Sequence, residues 1–524
     1  MKSDYPIIVL AMEMLMPQFP EPARTANSRG GLGILIGDEI QGFSRQGVKA
    51  DFIVPFFSCH RVLEEKICYD FLKPETSAVE IKVNGKDAAP VSILNFNEGS
   101  VRIHGLVSPF FDFLYTLDRG RRLHQEVIFG KAVRLLLKSL ELNSGIVMAN
   151  ESHTAVAISE IRGDPYFEGM KIVFGLHTKH PAGLETFPEN WFDESGISEK
   201  HRSEFIRDGQ INLAWAAADL ADGIIAVSEE FGQIAKKELF CKPEYQKKIV
   251  GIRNGSNRHL WLSARLKKAE ETGETIDLLK LWTIHQADKR ELLGFAKQKT
   301  GAELCMTKPL VGWVRRITDF KNQLPMLGPS IKAICAERSE TVQTPLGYLP
   351  GLGMQMFCAG VASSDNYHNW TEEFKNWMKD PKLQGKFAFL EEYNFEILKL
   401  TGYDLWFHSP WLGWEACGTS TPRHYMSGEP ALTTRTGGDM EFVQEFDPKT
   451  GQGNGFYIDP YDPMTVYKKL KAYSDIYYDW REYGIPTLLT LNKNAYETGK
   501  NLDITGMIKH YREKVFAPLL NGSP

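Results

Sequence analysis

The chain has 524 residues, with 61 Lys plus Arg against 66 Asp plus Glu and a net charge of −5. That length exceeds one ordinary core and points to two domains, and the absence of a basic excess excludes nucleic acid as the main partner. The seven cysteines (59, 68, 241, 305, 335, 358, 417) are odd in number and lack CxxC spacing, so they read as reduced thiols in a cytoplasmic protein rather than disulfides or a zinc site.

At the N-terminus, MKSDYPIIVLAMEM has no long apolar h-region, so Ile7–Leu10 reads as a first core strand, and no later run reaches the length of a membrane span. Short apolar runs then alternate with amphipathic stretches, the pattern of a parallel sheet covered by helices on both faces. Further strands are expected at Ala50–Val54, Val91–Phe96, Gly145–Ala149, Lys171–Leu176 and Gly223–Val227, with helices near Asp38–Gln46, Leu123–Leu140, His153–Ile161 and Asn212–Leu220. The polar, Lys- and Glu-rich stretch Ser263–Thr300 holds the domain junction. A second set of strands follows at Leu310–Val314, Met354–Ala359, Phe387–Leu390, Asp404–Phe407 and Ala431–Thr434, and Leu502–Leu520 reads as one more helix. The expected fold class is α/β, with two doubly wound Rossmann-like domains, 1–265 and 266–499, facing a central cleft. The C-terminal helix, 500–524, returns to the first of them. In such sheets ligands bind beyond the carboxyl ends of the strands.

Gly30-Gly31-Leu32-Gly33 follows the first strand and precedes the helix expected at Asp38. A plain turn explains it as well as a ligand loop does, because the full dinucleotide pattern and a ribose-binding acid are missing. Asn150-Glu151-Ser152-His153 ends the fourth strand and His177 ends the fifth, in GLHTKHPAG. One histidine after an apolar run is a structural residue by default, but two polar clusters at successive strand ends favour a cleft wall. Asn254-Gly255 lies in a similar place and is first of all a turn signal.

In the second half, VGWVRRITDFK (311–321) sets cations directly after a strand, where Arg316 offers a planar fork and Lys321 a point charge to a phosphate. The chain is organised around Trp411–Val443. There Glu415 precedes the small residues Ala416, Cys417, Gly418 and Thr419, which let a ligand approach the backbone. A helix starting near Thr419 would aim its unpaired N–H groups at an anion while Glu415 takes sugar hydroxyls. Thr436-Gly437-Gly438 forms a second glycine turn ahead of a helix expected over Asp439–Glu445. A carboxylate, a helix start and two cations at the strand ends of one domain favour a site over a solvated basic loop. The aromatic stretches Asp365–Trp377 and Trp406–Trp414 read as core or interface, with stacking on sugar faces as the alternative.

These segments resemble the glycogen (α-glucan) phosphorylase family and, more distantly, the bacterial glycogen and starch synthases, which share the two-domain GT-B fold. The matching stretches occur in the family's order: Ala11-Met12-Glu13, GGLGILIGD (30–38), NESH (150–153), HTKHPAG (177–183), Asn254-Gly255, LWTIHQADKREL (281–292), VRRITDFKNQ (314–323) and EACGTS (415–420). The resemblance implies that Gly30, Gly31, Leu32 and Gly33 lie near the donor phosphate and sugar. It places His177 and Asn254 by the sugar 6-hydroxyl, and Glu415 with the Cys417–Gly418 backbone by the 3-hydroxyl. Arg316 and Lys321 would bind phosphate, and Asn150, Glu151, His153, Thr419, Thr436, Gly437 and Gly438 join the expected substrate contacts.

One departure outweighs the matches. Phosphorylases carry a lysine eight residues after this glutamate, in a Schiff base with pyridoxal phosphate, and here the position is Arg423. Arginine stays protonated and cannot form that imine, so no covalent cofactor is expected, and no metal, and Arg423 becomes a candidate substrate contact. In the synthase branch the corresponding cations hold the diphosphate of a nucleotide sugar, and a glycine pair follows the glutamate, as in SGEPALTTRTGGDMEFV here. The expectation is a retaining glycosyltransferase that moves a hexose, glucose by preference, from a nucleotide sugar to a glucan or other hydroxyl acceptor. His177, Arg316, Lys321 and Glu415 form its catalytic set. An enzyme using phosphate and glucose 1-phosphate, and a non-catalytic sugar-binding homologue, stand as alternatives. The expected partners are a sugar donor and a carbohydrate or small-molecule acceptor, without nucleic acid or membrane; a homo-oligomer is left open.

Overall fold

The computed structural model describes residues 5–60, 65–72, 75–80, 82–83, 86–87 and 90–522; the outermost residues of the expected first domain, 1–4 and 523–524, lie outside them. The chain divides into two compact units, Met1–Asn257 with Ile504–Pro524, and Arg258–Asp503. The polar stretch after Ser263 belongs wholly to the second unit, as a short helix Ala264–Glu271 and a long one from Leu278.

In chain order the first unit holds β1 (Ile7–Leu10), α1 (Gly31–Arg45), β2 (Ala50–Phe56), β3 (Glu75–Val79), β4 (Val91–Glu98), β5 (Val101–Val107), α2 (Arg119–Ser139), β6 (Ser144–Asn150), α3 (Ala155–Arg162), β7 (Gly169–Leu176), α4 (Leu213–Leu220), β8 (Gly223–Ala226) and β9 (Ile249–Gly251). Among the described residues its main sheet has the order β9-β8-β7-β6-β1-β2-β5-β4-β3. All pairs from β9 to β5 are parallel. The remaining edge, β5-β4-β3, is antiparallel, which corrects the expectation of a wholly parallel sheet. Its cause is local: Gly99 takes φ +59° between β4 and β5 and closes a hairpin. β1 is buried at all four residues, as a central strand covered on both faces must be.

The helix expected at Asp38 starts at Gly31 instead. Gly31, Gly33 and Gly37 therefore lie in its first turns, and the last two serve close packing: a Cβ on Gly33 would stand 2.3 Å from Ser28 Oγ and one on Gly37 2.0 Å from the Leu15 carbonyl oxygen.

The second unit contains α5 (Leu278–Thr300), β10 (Leu310–Val314), β11 (Gln355–Ala359), α6 (His368–Lys379), β12 (Phe387–Leu390), β13 (Leu405–His408), α7 (Ser420–Met426), β14 (Ala431–Thr433), β15 (Phe456–Tyr457), α8 (Pro463–Tyr483) and α9 (Thr487–Lys500). Its parallel sheet runs β12-β11-β10-β13-β14-β15. The LWTIHQADKREL motif lies on α5 and has a structural explanation. Lys289 is fully buried, and its ammonium donates to Asp404 Oδ2 at 2.5 Å and to the Lys308 carbonyl at 2.6 Å. His285 pairs with the other Asp404 oxygen at 2.9 Å, so the motif bolts α5 to the starts of β10 and β13.

The last helix, α10 (Ile504–Tyr511), continues through a π-turn at Arg512–Phe516 to Ala517–Leu520. It rejoins the first unit, where Ile504, Met507, Ile508, Tyr511, Val515 and Phe516 pack into the core that also holds Ile36, Ile40 and Phe43 of α1. At about 1.5–3 kcal/mol per buried apolar side chain, this helix contributes on the scale of a whole domain's net stability, ~5–15 kcal/mol. None of the described helices is long and apolar enough to cross a membrane.

Candidate functional site

Each unit carries one polar cluster at the carboxyl ends of its parallel strands, where the strand order reverses. In the first unit the reversal is at β1, which has β2 on one side and β6 on the other; the loops after β1 and β6 carry Glu13 and Asn150–His153. Glu13 accepts the backbone N–H groups of Arg29 at 2.7 Å and Gly30 at 3.0 Å, and the Tyr115 hydroxyl at 3.1 Å. The chain's own carboxylate thus engages the backbone just ahead of α1.

Asn150 donates its amide to the Leu10 carbonyl at 3.2 Å, which turns its Oδ1 to His177 Nε2 at 2.8 Å. The imidazole therefore carries its proton on Nε2 and presents Nδ1 as an acceptor. Burial brings the His177 pKa down to about 4, so the ring is neutral at physiological pH and serves as a hydrogen-bonding group. The His177 N–H donates to Glu151 Oε1 at 3.0 Å. Burial, with the Glu13 carboxylate adding repulsion, pushes the Glu151 carboxyl well above the usual range. Asn254 lies beyond β9 in the same unit and is buried, with its N–H on the Val227 carbonyl at 3.3 Å.

Glu151 also holds a backbone conformation of φ 64°, ψ 163°, a region that fits glycine and costs other residues about 1–3 kcal/mol. Glu151→Gly and Glu151→Ala both remove the carboxylate, and only the first relieves the backbone. Chemical denaturation should find the glycine variant more stable than the alanine variant by about 1–2 kcal/mol.

In the second unit the reversal is at β10, between β11 and β13. Arg315 follows β10, His408 ends β13 and Thr433 ends β14, so neighbouring parallel strands deliver three polar residues to one place. At their centre is Glu415. Its Oε2 is ion-paired with Lys321 and lies 3.4 Å from Arg315 Nη2 and 3.5 Å from His408 Nε2. On the other side of its ring, His408 Nδ1 meets Asp439 Oδ2 at 2.7 Å, and that oxygen also accepts from Thr421 at 3.0 Å and Thr433 at 2.7 Å.

Burial alone would push the Glu415 carboxyl up, but Lys321, His408 and Arg315 together hold it well below the usual carboxylate range. Lys321 moves down to about 7, first through burial and then through repulsion from Arg315, with Arg316 adding to it; the single carboxylate only partly offsets this. The cluster sets two buried cations, Arg315 and Lys321, against Glu415, with the Asp439 carboxylate behind His408 also acting on Arg315.

The sequence reading named Lys321, Glu415 and Arg316 but missed Arg315. The backbone of 315–317 continues the strand pairing, with Arg315 and Ile317 N–H groups on the Ala359 and Val361 carbonyls, so consecutive side chains point to opposite faces. Arg315 turns inward to Glu415, while Arg316 is half-buried and acts on Lys321 through its charge. His408 and Asp439 were missed as well, although a histidine ending an apolar strand is the same signal that singled out His177.

The helix expected over Asp439–Glu445 is a 3-10 turn at Gly437–Glu441. Gly437 takes φ +59°, and a Cβ there would stand 2.1 Å from the Glu415 carbonyl oxygen, so the turn closes against the glutamate loop and delivers Asp439 to His408. Gly438 follows it in that turn, and Thr436 accepts the Gly413 N–H at 2.8 Å. Thr419 sits at the start of α7 without a side-chain cap bond, and Cys417 is half-buried.

Arg423, expected among the substrate contacts, is buried. Its Nε donates to the Thr419 carbonyl at 3.0 Å and its guanidinium lies 4.5 Å from the Trp261 ring centre, while Thr421, two residues earlier, faces Asp439.

Gly418 lies over the cluster. A Cβ there would be 3.3 Å from His408 Cε1, 3.5 Å from Glu415 Cδ and 3.6 Å from Arg315 Nη2, close but accommodated. Gly418→Ala should therefore keep its melting temperature within a few degrees of the parent while weakening ligand binding at Glu415 about tenfold or more. Thermal melts and calorimetry measure the two effects separately.

Comparison with known proteins converges on one group. Residues 20–244 match the starch synthase catalytic domain family. A glycogen phosphorylase from Aquifex aeolicus is 24% identical over 78% of this chain and 67% of its own length. A maltodextrin phosphorylase from Thermococcus litoralis is 22% identical over 99% and 71%, and a glycogen synthase from Thermotoga maritima 23% over 87% and 90%. The solved catalytic domain of starch synthase IV from Arabidopsis thaliana, bound to ADP and acarbose, superposes with a TM-score of 0.76 at 17% identity, covering 99% of each chain. The chain thus has the GT-B fold and is similar to the glycogen synthases and glycogen phosphorylases.

Proposed function

We propose that the protein is a retaining glycosyltransferase that transfers a hexose, glucose by preference, from a nucleotide sugar to a glucan or another hydroxyl acceptor. The observation that carries this reading is the convergence of buried Arg315 and Lys321, with Arg316 beside them, on Glu415 at the strand ends. These cations would hold a diphosphate and stabilise the charge that grows on it as the glycosidic bond breaks. Glu415, ionised and fixed by three neighbours, accepts sugar hydroxyls rather than attacking carbon. The leaving diphosphate oxygen takes the acceptor proton on the same face. Asp439 fixes His408, and through it the orientation of Glu415. In the first unit, which we assign to the acceptor side, neutral His177 and the Asn150–Glu151 turn supply fixed hydrogen-bonding groups for a hydroxyl-rich substrate. The ADP and acarbose bound by the starch synthase IV structure are consistent with these substrate classes.

Phosphorolysis is the second reading, favoured by the phosphorylase relatives. The arginine at the lysine position weighs against its cofactor: Arg423 has no amine for an imine, and its guanidinium is engaged with Thr419 and Trp261.

An absorbance scan for pyridoxal, followed by calorimetric titration with UDP-glucose, ADP-glucose, GDP-mannose and glucose 1-phosphate, tests the proposal. Binding of one nucleotide sugar, abolished in Arg315→Ala, is the expected result. Pyridoxal absorbance, or binding of glucose 1-phosphate alone, replaces the reading with phosphorolysis.

A further inference from the structure

Away from the Glu415 cluster, the first unit buries a second group of ionisable side chains that the transfer reaction does not use. Glu126 lies on α2, His153 follows β6 and Glu185 lies in the loop that follows β7 and the HTKHPAG segment. Their relative exposures are 1%, 3% and 7%. Among the described residues neither oxygen of Glu126, neither ring nitrogen of His153 and not Glu185 Oε2 has a hydrogen-bond partner. One ligand atom from each of the three lies within 4.8 Å of the others, and His153 Nε2 is 3.9 Å from Glu185 Oε2. The other Glu185 oxygen is ion-paired with Arg122, whose Nε is held by the Thr116 carbonyl at 3.0 Å.

A buried polar atom without a partner costs about 1–3 kcal/mol, and here five such atoms belong to three side chains that bring one ligand atom each within 4.8 Å of the others. A proton shared between the two carboxylates would satisfy part of the group, but it leaves the imidazole N–H without an acceptor. A divalent cation engages all three side chains at once and leaves only the second imidazole nitrogen without a partner. With two carboxylates and one guanidinium the cluster carries one net negative charge, which favours a cation there.

We propose that Glu126, His153 and Glu185 form a structural site for a first-row divalent transition-metal ion. One imidazole with two carboxylates is a donor set for Zn²⁺, Mn²⁺ or Fe²⁺ rather than for Ca²⁺ or Mg²⁺, which take oxygen ligands. Side-chain adjustments of under about 1 Å bring all three donor atoms to the ~2.1 Å bond length of such ions, and a water completes the coordination. The ion would lock α2, the Asn150–His153 turn and the 177–185 loop to one another, reinforcing the Glu185 N–H to Ser152 Oγ bond of 3.1 Å already there. This goes beyond the transferase reading and does not depend on it. The seven scattered cysteines gave no sign of the site, because its ligands are a histidine and two glutamates far apart in sequence.

The test uses the full chain. Protein stripped with a chelator is reloaded separately with Zn²⁺, Mn²⁺ and Fe²⁺, the last without oxygen; bound metal is counted by mass spectrometry and melting temperature is recorded. The expected result is about one tightly held ion per chain, with a melting temperature that falls on chelation and returns on reloading. Glu126→Gln and His153→Gln, with folding checked by circular dichroism, should bind about tenfold less metal or worse and melt at a temperature the chelator does not move. Pulsed electron paramagnetic resonance of the Mn²⁺-loaded parent should show one coordinated imidazole nitrogen, a readout that stands even if the variants fail to fold. Three results overturn the proposal: uptake below about a tenth of an equivalent with an unmoved melting temperature, undiminished metal in folded variants, or no nitrogen coupling. Loss of nucleotide-sugar binding elsewhere in the chain leaves all of these readouts unchanged.

Discussion

Lys321→Met will weaken nucleotide-sugar binding about a hundredfold or more, ~3 kcal/mol, the range found when one partner of a buried charge pair is truncated. The fold will survive, because Arg315 remains 3.4 Å from Glu415 and His408 3.5 Å away. Glu415→Gln should act in the opposite sense on the anion. It removes the carboxylate paired with Arg315 and Lys321, so ADP alone binds more tightly, while discrimination among hexoses at that position is lost. Calorimetry of nucleotide and nucleotide sugar against both variants separates these outcomes, and equal weakening of both ligands in Glu415→Gln would contradict the assignment.

The same lysine makes binding depend on pH. Its pKa near 7 in the free protein lies below the usual value through burial and the neighbouring guanidinium, so above pH 7 the ammonium is progressively lost. A bound diphosphate favours the charged form and draws a proton back. Affinity should therefore fall as pH rises from 7 to 9, and binding at pH 8 should take up nearly one proton, against almost none at pH 6. Titrations in buffers of different ionisation enthalpy read that number directly, and no uptake at pH 8 would mean that Glu415 keeps the lysine charged throughout.

The largest effect on stability is expected at Lys289. Lys289→Met removes the cation that faces Asp404 in a fully buried setting and leaves the carboxylate with His285 and the Leu310 N–H. Breaking a buried pair from one side costs about 3–5 kcal/mol. Pairing it with Asp404→Leu should recover much of the loss, since an apolar pair of similar volume does not strand a charge. Urea denaturation followed by tryptophan fluorescence is a suitable reading, because Trp282 stacks on His285 with ring centres 5.7 Å apart. A loss below about 1 kcal/mol in the single variant would show that water reaches Asp404.

Much of the fold was legible as strands because a parallel strand covered on both faces is a continuous apolar run. Ile7–Leu10, Leu310–Val314 and Phe387–Leu390 begin and end where the sequence placed them. The antiparallel edge was less visible: β4 was expected at Val91–Phe96 and runs to Glu98, but β3 and β5 were passed over. Also unanticipated were α8 and α9, although Asp462 caps the first of these with Pro463 at its first turn, a signal available in the sequence.

At the second-unit cluster, residue types and order pointed to the correct loops, but not to which of two adjacent arginines faces inward. That choice depends on the register of the last strand residue, and no spacing rule supplies it. The glycines of GGLGILIGD looked like a loop because glycine in a helix is costly on propensity alone. Their place in α1 follows from a packing distance to Leu15 that exists only in three dimensions. Of Glu126, His153 and Glu185 only His153 stood out in the sequence, as a substrate contact, because the grouping of the three exists only in three dimensions.

The return of α10 to the first unit has a consequence for synthesis. Everything between Arg258 and Asp503 is made before Ile504–Phe516 leaves the ribosome, and at ~5–20 residues per second that takes on the order of ten seconds or more. During that interval the second unit has all of its own strands and can finish folding. The earlier-made sheet must wait with the groove beside Ile36, Ile40 and Phe43 uncovered. The nascent chain therefore completes its middle before its beginning. The apolar groove of α1, rather than any surface of the finished protein, is the place where a growing chain is most exposed to chaperones and to its neighbours on the same message.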